Sequence, residues 1–198
     1  AEQSGFITDM GFETYQKIMN EAIAELRAEG LDVAGLSHEE QLAVEGAMGY
    51  VDDVVIELGV EAELPESYVR QQAERLRLYR ELDSLRDEKS LTAFGERLVD
   101  RFGEMPEAAR QLLDVVRLRW EAMRLGMEKV KVKNGLMIVQ FVGDDSSPFY
   151  KSDTFMTMLK KVTKEPDRYL LKQPDRKLAM TVRMVPDVSE ALRVLKSL

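Results

Sequence analysis

Side chains able to do chemistry are few in this sequence, and they are scattered. His38 is the only histidine and there is no cysteine, which excludes His-based triads, thiol nucleophiles, two-histidine metal sites and zinc clusters. His38 sits in a polar stretch and reads as a surface or capping residue. Neither a G-x-x-x-x-G-K-S/T run nor a G-x-G-x-x-G run is present, so no phosphate-cradling loop of the usual kind is encoded. Asp52-Asp53 and Asp144-Asp145 could hold a divalent ion, but adjacent acids in turns are more often solvated than ligating. Ser4, Ser37, Ser84, Ser146 and Ser147 fall in turns or caps and lack a base partner. Trp120 recurs with apolar residues at helical spacing, which reads as core rather than as a stacking platform. This chemistry implies no catalytic, cofactor or metal site within the chain.

Composition narrows the class further. The 198 residues are 44% hydrophobic and 32% charged, ordinary for a soluble globular chain. The net charge of −8 disfavours a general nucleic-acid binder. No apolar run is long enough to span a membrane and no export signal is evident; with the missing cysteine, a reducing cytoplasm fits. The opening AEQSG, without Met, reads as cut from a longer protein.

The elements that organise the chain centre on residues 91–126. Leu91, Phe94, Leu98 and Phe102 recur at spacings of three and four, the buried face of an amphipathic helix. Gly103 follows as a left-handed C-cap, and Pro106 suits the first turn of a second helix. That helix carries Leu112, Leu113, Val116, Trp120 and Met123 or Leu125 inward and ends at Gly126. The result is a helical corner.

Around it, residues 10–29 read as a helix. A connector follows to residue 53, with a short helix from Ser37 possible. Between Glu21 and Glu66 only Arg27 is positive, which makes this a solvated linker or an acidic surface for a basic partner. Residues 54–65 alternate as a half-buried strand ended by Pro65. Residues 72–87 read as a helix with Leu76, Tyr79 and Leu82 inward. After Gly126 the period changes to 2: MEKVKVK-NG-LMIVQFV is a hairpin through a type I′ turn. A helix over 152–164, a hairpin through Pro174-Asp175 and a last helix from Pro186-Asp187 complete the chain. The fold class is α+β: an N-terminal helical arm, the helical corner, and an antiparallel sheet of two hairpins packed with helices.

The run DRFGEMPEAARQLL resembles the C-terminal domain of the bacterial transcription-repair coupling factor family, in which a D-R-F-G-x-x-P run precedes a Leu-rich helix. Asp100, Arg101, Phe102, Gly103 and Pro106 match it. LPESYVRQQAERLRLYREL and AEQSGFITDMGFETYQKIMNEAI agree in register, so the resemblance covers nearly the whole chain. It implies three segments: residues 1–30 as the end of a RecG-like translocation motif and a linking helix, 31–53 as an acidic connector, and 54–198 as the C-terminal regulatory domain.

By that resemblance the parent is an ATP-dependent DNA translocase that displaces stalled RNA polymerase and recruits nucleotide excision repair. Its ATP and magnesium motifs lie upstream, so this chain itself is not expected to hydrolyse ATP. Gln3 matches the glutamine of the translocation motif, whose arginine partners precede the chain. The regulatory domain is expected to dock on the parent's own UvrB-like module and mask its UvrA-binding surface. The parent's partners are RNA polymerase, UvrA and double-stranded DNA. A basic partner surface calls for acids here, and Glu96 and Asp100, one helical turn apart, are the expected contacts. Position 97 is Arg where the family tends to place an acid, and Asp100 and Arg101 could instead brace the corner. The alternative function is a basic nucleic-acid module over residues 151–183, where Lys151, Lys160, Lys161, Lys164, Arg168, Lys172, Arg176, Lys177 and Arg183 lie near Tyr150, Phe155 and Tyr169. The bland counterpart is a solvated face balancing the acidic half.

Overall fold

The computed structural model describes residues 50–198 except positions 52, 175 and 176. The expectations for Gln3, the 10–29 helix, the Ser37 helix and His38 lie outside the described residues, as does most of the acidic connector.

In chain order the elements are β1 (Val55–Leu58), α1 (Gln72–Ser84), α2 (Glu88–Phe102), α3 (Glu107–Arg124), β2 (Met127–Lys133), β3 (Leu136–Phe141), α4 (Asp153–Lys164), β4 (Tyr169–Lys172), β5 (Ala179–Arg183) and α5 (Val188–Lys196), with a 3-10 turn at Pro148–Lys151. The fold is α+β. One five-stranded sheet runs β1-β2-β3-β5-β4. Both expected hairpins form and join through antiparallel β3 and β5. The sheet is mixed because β1 adds at its edge parallel to β2; three helices separate those strands in sequence, as a parallel connection requires. Asn134 (φ 55°) and Gly135 (φ 74°) supply the positive angles of the first hairpin turn.

Helix starts follow local chemistry. The Asp87 carboxylate accepts from the Ser90 amide at 2.8 Å, and Asp187 accepts from the Glu190 amide at 2.8 Å. Asp87 is thus the cap of α2, which is why the expected 72–87 helix stops at Ser84. Pro106 is the N-cap of α3 rather than its first helical residue. Gly103 closes α2 with φ 83° and ψ −161°, positive in φ but extended in ψ.

Two apolar cores meet at α3. The inner sheet face, through Val130, Val139 and Met180, packs on Leu118, Ala122 and Leu125 of α3, Met158 of α4, and α5. The second core lies between α1, α2 and the first half of α3, with Leu64 and Val69 from the loop after β1. Leu78 and Leu82 fill it from α1, whereas Leu76, expected inward, is 53% exposed. The helix phase of α1 is set by Leu78, one turn before Leu82. Ala109 and Leu113 of α3 face this second core, while its Leu118 and Ala122 face the first. Helices cover one sheet face. The other, with Glu57, Lys131, Ile138, Thr181 and Leu170 paired across it, has no described helix against it.

A tight approach fixes the α3–β2 junction. Gly126 has φ +62°, and a Cβ there would lie 2.7 Å from the Phe149 ring. Phe149 is fully buried and touches the rings of Tyr50, Phe141, Tyr150 and Phe155 at centroid distances of 5.2 to 5.9 Å. Gly126→Ala therefore incurs both a left-handed backbone cost and a clash with an immobile ring, about 2–4 kcal/mol in all. Gly135→Ala, with similar φ and open space around it, incurs only the first, about 1–2 kcal/mol. Urea unfolding of both variants checks this; equal losses would contradict the packing argument.

Candidate docking face on the helical corner

The corner helix α2 has a divided surface. Leu91, Phe94 and Leu98 point into the second core, and Gly95 lets α3 approach: a Cβ there would stand 3.2 Å from Leu113 Cδ1. The outward side presents Glu96, Arg97, Val99 and Asp100, all exposed.

The charges on that side are not equivalent. Arg97 donates to the Glu81 carboxylate and its guanidinium lies 5.7 Å from the Phe94 ring centroid. Arg101 pairs with Glu74 at 2.8 Å and lies 5.1 Å from the Phe102 centroid. Both cations are thus drawn back toward α1 and onto α2's own rings. Glu74 is shared between Arg77, its stronger partner, and Arg101, and these hold its pKa below the usual carboxylate value. Glu96 and Asp100 have no ion pair or side-chain hydrogen bond among the described residues. They lie four apart, hence on one side of the helix, with Val99 alongside and 46% exposed. The bracing role falls to Arg101, not to Asp100. Tyr68 adds to the brace by donating to the Gly103 carbonyl at 3.0 Å and packing edge-on to Phe102.

Arginines on α3 tie the two cores together, an arrangement that sequence reasoning missed. Arg117 donates to both oxygens of Glu88 at 2.6 to 3.0 Å and to Asp114 at 2.9 Å. Arg119 reaches Asp53 ahead of β1 and Asp83 at the end of α1, at 2.8 and 2.7 Å. Trp120 is half-buried against the second core beside Arg117. The only sequence signal was an i,i+3 Asp114–Arg117 pair; the other partners are 29 or more residues away.

The remaining candidates separate. Asp144 accepts from the Ser146 amide and hydroxyl, a local turn that lowers its pKa. Among the described residues no group of three or more His, Cys, Asp or Glu could hold a metal ion. In the basic tail, Arg168 pairs with Glu190 at 2.6 Å, Lys161 donates to the Ser197 carbonyl and Arg183 to that of Asp167. Arg176 lies outside the described residues. Tyr169 is buried, and Tyr150 and Phe155 pack in the Phe149 cluster, so none of the three aromatic rings stands out to stack on a base.

Residues 58–152, spanning β1's end through the helical corner to the first hairpin, match the TRCF domain. These residues form a TRCF domain. The transcription-repair-coupling factor of Staphylococcus epidermidis is 30% identical over 132 residues, covering 67% of this chain and 10% of that protein. Those of Rickettsia bellii and Escherichia coli K12 are each 27% identical, covering 100% and 96% of this chain. The chain therefore spans only 10 to 16% of the length of these relatives. A crystal structure of the C-terminal domain of a transcription-repair coupling factor superposes with TM-score 0.51 at 16% identity, covering 74% of this chain and 97% of that one. That likeness establishes the shared fold.

The Arg117 clamp has a measurable signature. Hydrogen bonds from Arg117, more than any other influence, hold the Glu88 pKa below its ordinary 4.5. A carboxylate with a depressed folded pKa adds stability above its unfolded pKa and loses it as pH falls through the folded one. Arg117→Gln should let Glu88 titrate closer to 4.5 and flatten the fall in stability below that pH. Carboxyl NMR titration with thermal unfolding across the acid range checks this; an unmoved Glu88 would show the clamp is not formed.

Proposed function

We propose that this TRCF domain is a non-catalytic regulatory latch of a larger transcription-repair coupling ATPase. In this reading it docks on the parent's own UvrB-like module and covers the surface that recruits UvrA. RNA polymerase, double-stranded DNA, ATP and magnesium are then bound by other parts of the parent, in the cytoplasm, and residues 1–30 join the domain to the motor, with Gln3 in its translocation motif. Among the described residues no helix is long and apolar enough to cross a membrane.

The observation that carries this reading is the α2 surface. Glu96 and Asp100 stand exposed and, among the described residues, unpaired, with the exposed Val99 beside them, while the neighbouring Arg97 and Arg101 are occupied. A carboxylate without an internal partner gives up no existing ion pair when a basic surface meets it. Two acids beside a small apolar group give a contact of limited strength. A latch requires that: engagement of the motor need favour the open state by only a few kcal/mol to release it.

Calorimetric titration of the chain with the isolated UvrB-like module of its parent tests the reading. Saturable binding is expected, weakening with salt, and Asp100→Lys should weaken it about tenfold or more while leaving the circular dichroism unchanged. Unaltered affinity in a folded Asp100→Lys variant would remove this face from the interface.

A further inference from the structure

The sheet face with no described helix against it is chemically unlike the other described surfaces. The residues paired across it bring Lys129, Lys131 and Lys133 from β2, Arg183 from β5 and Lys172 from β4 onto one side. Glu57 is the one carboxylate among these paired rows, and it is shared between Lys129 at 2.5 Å and Lys131 at 3.4 Å. Five cations against one acid is a local reversal of sign in a chain of net charge −8. Lys133 and Lys172 have no side-chain partner among the described residues.

The cations are not spread evenly. They line β2 along one side and sit at Lys172 of β4 and Arg183 of β5 on the other, while Leu136, Ile138, Gln140, Ala179 and Thr181 lie in the strip between and Leu170 joins them at the β4 edge. Ile138 of the central strand β3 is 39% exposed and Leu170 of the edge strand β4 38%, two large apolar groups of one cross-strand row left in water. From β2 to β4 is three strand spacings, about 14 Å. An α-helix with its side chains is roughly 10–12 Å across. The strip therefore has the width of one helix, an apolar floor, and positive charge along both sides.

We propose that this face docks an amphipathic helix of a protein partner, its apolar stripe on Ile138 and Leu170 and its acidic flanks against the β2 lysines and Lys172. Such a helix supplies a second layer on the sheet, converting the two-layer domain into a helix–sheet–helix sandwich. Nucleic acid fits the face less well. Duplex phosphates have no use for an apolar strip, and single strands call for aromatic platforms, which the paired residues of this face do not provide. The surface is separate from the acidic side of α2, so the two contacts are independent.

The test uses the full chain and three probes: a fluorescein-labelled helical peptide with a leucine stripe flanked on both sides by glutamates, its scrambled counterpart, and a short DNA duplex. Fluorescence anisotropy should show saturable binding of the patterned peptide alone. Lys133→Glu with Lys172→Glu should weaken it about tenfold or more, and replacing the peptide's glutamates with lysines should restore affinity for that variant. Ile138→Ser should weaken binding with the charges intact. The proposal is overturned if the patterned peptide does not bind, if the scrambled one binds equally, or if folded variants retain full affinity. Binding of the duplex in place of the peptide, lost in the charge variants, would make the face a phosphate-binding surface and equally overturn it.

Discussion

The double burial of α3 is the constraint on which the rest of the structure depends. Its first half sends Ala109 and Leu113 into the core shared with α1 and α2, and its second half sends Leu118, Ala122 and Leu125 under the sheet. Neither core is closed without it. An amphipathic helix with one apolar stripe can cap one layer; this one has two stripes that overlap around its middle, so it joins a helical corner to a sheet. Whatever the corner presents is therefore held rigidly relative to the sheet.

That placement explains where the charges went. A helix packed on two sides has narrow polar seams, and Arg117 and Arg119 occupy them, stretching toward carboxylates on other elements: Glu88 of α2, Asp83 of α1, and Asp53 before β1. These pairs are partly exposed, so each adds modestly to stability. Their larger effect is to set the position of the corner. On α2 the same logic turns inward: Arg97 and Arg101 are claimed by Glu81 and Glu74 of α1. Arg97 and Arg101 are engaged in holding the corner together, and Glu96 and Asp100 are left without an ion pair among the described residues.

Features written locally were legible in the sequence. The Gly103–Pro106 corner, the Asn134-Gly135 turn, and α4 and α5 with their Ser152 and Asp187 caps each depend on residues within one or two turns of one another. Features that depend on distant partners were not. A four-residue strand such as β1 gives no hint of pairing parallel to β2, which lies beyond three intervening helices. Leu76 and Leu78 both fit a helical stripe, and only the position of α2 decides that Leu78 is buried. Leu118 falls outside the expected stripe of Leu112, Leu113, Val116 and Trp120 because it belongs to a second. At the site, Glu96 and Asp100 came from family likeness, while their lack of partners follows from Glu74 and Glu81, which no spacing rule connects to Arg101 and Arg97. The sign reversal on the bare sheet face is likewise assembled from three separate strands.

In the proposed latch, the exposed acidic side of α2, held in place by α3, is the surface this domain offers to its parent's UvrB-like module. Backbone amide NMR of the chain during titration with that module tests it most directly. Shift changes should concentrate at residues 96–100 and adjoining exposed positions, with amides of buried α3 residues such as Leu118 and Ala122 unmoved. Changes confined to the sheet face, or spread through both cores, would contradict it.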